Sequence, residues 1–150
     1  MLTSILQSKA AWGNTVLRAA VGLIFVAHGA QKLFVMGPGT LAGFFGTIGI
    51  PLPALNAYAV IAIELLGGVA MIAGLATRVI AALFAIVMVV AIATVHGSQG
   101  FFLPNGYEFA LVLLAASLTL LLQGGGAYAL DNLLSRRTVS RGQTLAEARA

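Results

Sequence analysis

The sequence predicts an all-α integral membrane protein: a four-helix up-and-down bundle with a short interfacial helix in its first outer loop. Three observations carry that prediction. Of 150 residues, 60% are hydrophobic and only 8% charged, against roughly 25% charged in soluble domains. Too few charges remain to cover a globular surface, so most of the surface must face lipid. Apolar runs also recur four times at close to the length of a spanning helix, about 20 residues. Finally, these runs lack the polar–apolar alternation of barrel strands, and only helices and closed barrels satisfy every backbone polar group in lipid.

The first span is expected from about Thr15 to Phe34, with Arg18 near its start and Lys32 near its end. Its core, Ala19 to Ala27, has the length of a signal-peptide core, and Ala27-His28-Gly29 weakly resembles a cleavage site. The Gly-Pro loop and further span that follow instead mark a retained helix. Met36 to Pro53 holds three prolines and five glycines and cannot be one helix. Within it, Leu41, Phe44, Phe45 and Ile48 recur at helical spacing, the mark of a short helix lying in the interface. The second span is Ala54 to Ala73. A tight turn, Gly74 to Thr77, makes the third span, Val79 to Val95, its antiparallel neighbour. Gly97 to Gly106 is a polar loop, and the fourth span runs from Tyr107 or Glu108 to Leu122, with Leu130 as an outer limit. Residues 1–134 form the membrane domain and 135–150 a polar tail.

Charge sets orientation. Of eight basic residues, Arg136, Arg137, Arg141 and Arg149 lie in the tail. With Lys9, Arg18 and Arg78, they share one side if both termini are cytoplasmic, as the positive-inside rule requires. Topology thus accounts for the net charge of +4, and no nucleic-acid partner is needed. Arg18 and Arg78 read as anchors. There is no cysteine, which excludes disulfides and thiol redox chemistry within the chain.

Glu64 is the most informative residue. It stands near the middle of the second span, where a carboxylate costs about 3 kcal/mol on insertion scales. It must be neutral, paired, or facing a polar cavity. His28, Gln31 and Lys32 are spaced i, i+3 and i+4 and share a face in the outer half of the first helix. His96 ends the third span and Glu108 begins the fourth, both on the outer side. The expectation is an outward-facing polar pocket with Glu64 at its floor. Bland alternatives stand beside it: Lys32 snorkelling to the headgroups, a carbonyl-bonded His28, His96 and Glu108 capping each other, and Glu64 in a structural interhelical bond. Gly67 and Gly68, one turn past Glu64, either allow close helix packing or leave room for a ligand.

Three chemistries fit such a pocket. His28, Glu64, His96 and Glu108 are ligand types for zinc, iron or manganese, although no H-x-x-H or E-x-x-H pair places two on one helix. A quinone ring is the second fit, with His and Glu bonding its carbonyls and exchanging protons. A proton-coupled permeation path switched by Glu64 is the third.

The chain resembles the DoxX family of small four-span bacterial membrane proteins from about Leu17 to Leu134. The resemblance lies in L-R-x-x-x-G-L-I-F-x-x-H-G-x-Q-K-L from Leu17, F-F-x-x-x-G-I-P from Phe44, E-L-L-G-G from Glu64, G-L-A-T-R from Gly74, His96, and N-G-Y-E ending at Glu108. It implies a plasma-membrane protein with cytoplasmic termini. Some members are associated with thiosulfate:quinone oxidoreductase, others with a membrane complex that handles thiol and oxidative stress. Glu64, His96 and Glu108 carry over from the resemblance; His28 and Lys32 are local additions. The combined expectation is a quinone-linked redox subunit of the inner membrane, able to form homo-oligomers and working with a partner subunit that supplies electrons. Glu64 and His28 would be the proton-exchanging groups, with Lys32, Gln31, Gly67, Gly68, His96 and Glu108 around the quinone. The competing class is a non-enzymatic membrane protein, a small-solute transporter or an assembly factor.

Overall fold

The computed structural model describes residues 2–132, with side chains from Ala11 onward; the predicted polar tail lies outside the described residues. Among these there is no strand. Helix α1 spans Leu2–Ala30 and runs on as a π-helical segment, Gln31–Met36. Then come α2 (Pro38–Thr47), α3 (Pro53–Ala73), α4 (Thr77–Ala91, extended by a second π segment, Ile92–His96) and α5 (Glu108–Gln123). Pro38 and Pro53 stand at the starts of α2 and α3, where the missing N–H would be unpaired in any case.

Three stretches are long and apolar enough to cross a membrane: Ala11–Met36, Pro53–Ala73 and Thr77–Gln99. The fourth, Glu108–Gln123, has 16 residues, or about 24 Å at 1.5 Å each, somewhat short of a hydrocarbon core of about 30 Å. It ends one residue past the expected Leu122, and the outer limit at Leu130 is not reached. Gly124 follows α5 at φ 83°, and the chain folds back so that Ala127 N–H reaches the Ala11 carbonyl at 3.1 Å. The short helix foreseen around Leu41 to Ile48 is α2. It buries Leu41 and Phe45 against Ala57 and Ile61 of α3.

The four longer helices form a ring, with α1 on α3, α3 on α4, α4 on α5 and α5 on α1. Glycine brings α1 and α3 together. A Cβ added at Gly22 would lie 2.8 Å from the Gly68 carbonyl oxygen, and one at Gly68 would lie 2.8 Å from that of Gly22. Small residues allow such close backbone approach between membrane helices. The core between the helices is built from Val21, Phe25, Met71, Phe84, Leu113 and Leu120, with the Phe25 and Phe84 rings stacked at a centroid distance of 3.6 Å. The outer faces are apolar as well: Leu23, Leu66, Ile86 and Val112 are each more than half exposed. Large exposed aliphatics on every helix suit lipid as the surrounding solvent.

The end of the bundle that holds the α3–α4 turn, termed inner on the sequence expectation with the opposite end termed outer, is closed by polar contacts. Arg18 was expected to be a topology anchor at the surface, but it is 3% exposed. It donates to the Met71, Ile72 and Tyr128 carbonyls at 3.0, 2.6 and 3.3 Å, satisfying the end of α3 where carbonyls lose their helical partners. Asp131 caps α4 from the other side of the sequence, accepting from Ala76 N–H at 2.7 Å and Thr77 N–H at 2.9 Å. Its own N–H donates to the Gly74 carbonyl at 3.0 Å. Arg78 donates to the Leu122 carbonyl at 3.3 Å.

Candidate functional site

The outer half of the bundle encloses a cavity of about 640 Å³. Phe25, on the same face of α1 as His28 and Lys32, lies among the lining residues with Glu64, His96 and Phe109. The walls are mostly aliphatic and aromatic, so the pocket expected to be polar is an apolar chamber carrying a few polar groups. That balance is typical of small-molecule sites.

Glu64 is buried, at 2% exposure, and its partner is Lys32. The Lys32 ammonium donates to Oε1 at 2.9 Å and Oε2 at 2.7 Å. Gly29 makes this reach feasible. A Cβ there would lie 3.1 Å from the Glu64 Cβ and 2.8 Å from Leu65 N, so only glycine lets α3 come this close beside Lys32. An ammonium has three donors and the carboxylate takes two, leaving one for the cavity. His28 makes no hydrogen bond among the described residues. Its ring sits 6.2 Å from that of Phe109.

His96 stands at the outer rim. Its Nδ1 lies 3.0 Å from the Asn105 carbonyl oxygen. A carbonyl only accepts, so Nδ1 carries the proton and the neutral ring keeps a lone pair on Nε2. Glu108 and His96 do not cap each other; each holds the α4–α5 loop separately. Glu108 Oε1 accepts from Leu103 N–H at 2.8 Å. Leu103 and Pro104 from this loop line the cavity, so Glu108 shapes the rim through the loop without facing the chamber.

Four expected site residues therefore meet at the cavity: Glu64, His28, Lys32 and His96. Four do not line it. Gln31 is exposed, because neighbouring residues on a helix diverge by about 100° and the cavity-facing position is taken by Lys32. Gly67 lies against Phe84 and Gly68 against Val26 and the Gly22 carbonyl, so both serve helix packing. Glu108 belongs to the loop. The metal alternative fares worse, since no group of three His, Asp or Glu side chains able to hold a metal occurs among the described residues. Glu64 is engaged by an ammonium and Glu108 by a backbone amide.

The apolar lining was not singled out from sequence. Phe25 had a usable signal, standing three residues before His28 and seven before Lys32. The α4 residues Ile86 and Val90 had none, because every face of that helix is apolar.

Comparison with known proteins agrees with this architecture. The DoxX family model matches residues 13–97. The chain is 44% identical over 119 residues to "Putative oxidoreductase CatD" of Bacillus subtilis, covering 79% of this chain and 84% of that protein. It is 34% identical to an uncharacterized protein of Haemophilus influenzae over 77% of this chain and 86% of the relative. It is 32% identical to the uncharacterized membrane protein Rv3486 of Mycobacterium tuberculosis over 84% and 83% of the two chains. No solved structure matches. With the apolar helices, the glycine-packed α1–α3 pair and this match over more than half its length, the chain is a membrane protein that belongs to the DoxX family.

Proposed function

We propose that this protein is a four-span inner-membrane subunit that binds a quinone ring in its outer cavity and exchanges protons with it. The observation that carries the reading is a largely apolar chamber of about 640 Å³ whose polar groups include the Lys32–Glu64 pair and two histidines, with Asn56 and Thr94 toward its outer end. Its volume falls within the range of about 300–1,000 Å³ that holds small organic ligands. A quinone ring is apolar on both faces and accepts hydrogen bonds at two opposed carbonyls, so it suits such walls. Lys32 offers its third N–H to one carbonyl oxygen. Reduction places two electrons and two protons on the ring and converts both carbonyls to hydroxyls. Lys32 with Glu64, and His28, are the proton-exchanging groups, and Nε2 of His96 is a proton acceptor at the rim. The electrons come from a partner subunit, because without cysteine the chain has no thiol redox chemistry of its own.

The printed name of the Bacillus relative, an oxidoreductase, favours the same class. Basic residues at the inner end, Arg18 and Arg78, favour a cytoplasmic location for that end. A second reading has one observation behind it. The Lys32–Glu64 pair joins α1 to α3, which is what an assembly factor using its polar cluster only for helix register would need.

Extraction of quinone from the purified protein separates the two readings. Wild-type protein should carry quinone near one per chain, Glu64→Gln should lose most of it, and the folded Lys32→Met/Glu64→Leu double variant should carry none. Quinone retained in full by a folded double variant would leave register as the role of the pair.

A further inference from the structure

The cavity has an opening in its side. Helices α3 and α4 are antiparallel, joined by the short turn at Gly74. At their inner halves they touch, with Gly67 of α3 against the Phe84 ring of α4; an added Cβ would lie 3.2 Å from that ring. Nearer the outer end they no longer seal against each other. Val60 and Ile63 on α3 and Ile86, Val90 and Thr94 on α4 all line the cavity. Yet Ile86 is 60% and Val90 43% exposed, and Thr94 is exposed. A side chain that both lines an internal chamber and faces outward marks the edge of a gap. From Ile86 to Thr94 the gap runs about 12 Å along the helix, at 1.5 Å per residue.

What borders the gap says what enters it. Its inner two-thirds is edged by aliphatic side chains on helices whose neighbouring surface, Val79 and Val89 on α4 and Leu66 on α3, is itself exposed and aliphatic. The end of the chamber, by contrast, is roofed by Phe44 and Phe45 of α2 and by Leu103 and Pro104 of the loop. The route between helices is thus continuous with the lipid-facing surface, whereas the route from the outer aqueous phase passes beneath aromatic and aliphatic side chains. The polar lining groups Asn56, Thr94 and His96 lie at the outer end, so the long apolar edge of the slot is the part that matches an aliphatic tail.

We propose that the ligand enters sideways from the bilayer through the slot between α3 and α4, and that it carries an aliphatic tail. The tail stays in the slot across Ile86 and Val90 while the ring reaches Lys32. This rests on the quinone reading above and narrows it to membrane-resident, isoprenoid-tailed quinones. Ile86 and Val90 become specificity-determining residues that recognise the tail and do not touch the reacting ring.

The test compares two naphthoquinones, menadione (which has no tail) and a long-tailed menaquinone, by equilibrium binding to the full chain in lipid nanodiscs. The variants are Ile86→Trp and Val90→Trp, with Val89→Trp as control, since Val89 is 52% exposed and lies outside the cavity lining. All three positions face lipid, where an added indole disturbs packing least. Wild type should prefer the tailed ligand. Closing the slot should collapse that preference by about tenfold or more, the equivalent of losing contact with roughly two methylenes, while Val89→Trp leaves it intact. An unchanged preference in both slot variants would overturn the proposal with the quinone site left standing. Absence of binding of either ligand to wild type would overturn the quinone reading and the slot with it. Loss of both ligands together with a lower oligomeric mass would assign the slot to a second copy of the chain.

Discussion

Among the described residues two charged side chains are buried, one toward each end, and they do opposite things. Arg18 is 3% exposed and Glu64 2%. Arg18 spends its terminal guanidinium donors on three backbone carbonyls that converge at the end of α3, and it does not line the outer cavity. Glu64 spends both oxygens on a single ammonium, whose remaining donor faces a chamber large enough for a ligand. A buried charge consumed by helix ends ties the chain together. A buried charge paired on a cavity wall leaves chemistry over. Burial alone does not distinguish structural from functional charges in a membrane bundle; the partner and the empty space beside it do.

Removing single partners probes this contrast most forcefully. Lys32→Met strands the Glu64 carboxylate and should cost about 3–5 kcal/mol in unfolding free energy, the usual penalty for an uncompensated buried charge. Adding Glu64→Leu should recover most of that loss, since replacing a whole buried pair by apolar residues is often neutral or better. Thermal unfolding in detergent measures both. If the double variant were as unstable as the single one, the pair would be holding the fold as Arg18 does.

Arg18→Leu should lose about 3 kcal/mol, because three carbonyls lose a charged donor where each such bond is worth about 1.5–3 kcal/mol before relaxation. Quinone bound per folded molecule should not change. A fall in bound quinone with an intact fold would link the two ends and break the comparison. Gly68→Ala should cost about 1–3 kcal/mol by overpacking the α1–α3 contact, visible as a lower unfolding midpoint. The smallest effect should come from Asp131→Ala, about 1 kcal/mol for a lost helix cap, again without change at the outer cavity.

Legibility from sequence followed the same division. Glu64, Lys32, His28 and His96, which line one cavity, were recognisable as a cluster because charge and imidazole are conspicuous against an apolar background. Their depth followed from helical rise. Gln31, three residues after His28, was misplaced because only Lys32 of the adjacent pair turns to the cavity, a choice the shared i, i+3, i+4 spacing does not make. Glu108 sat at the correct end, but its carboxylate turned to a loop amide that no pattern announces. Gly67 and Gly68 fitted both packing and a ligand space; only the position of Phe84 and Val26 decided for packing. Asp131 drew no notice, since its partners at Ala76 and Thr77 lie more than fifty positions away.

By itself the sequence determined that this chain is helical and lives in a membrane, where α3, α4 and α5 begin and end within a few residues (α1 starts well before the expected Thr15), and which ionisable groups share the outer half. Hydropathy and proline or glycine punctuation act locally, and the backbone must satisfy its own hydrogen bonds in lipid. Only the tertiary structure decided that Lys32 takes Glu64, that Arg18 is a cap, and that the lining of the chamber is mostly apolar. Those outcomes depend on which faces meet, and helices that are apolar all round do not specify their own facing residues.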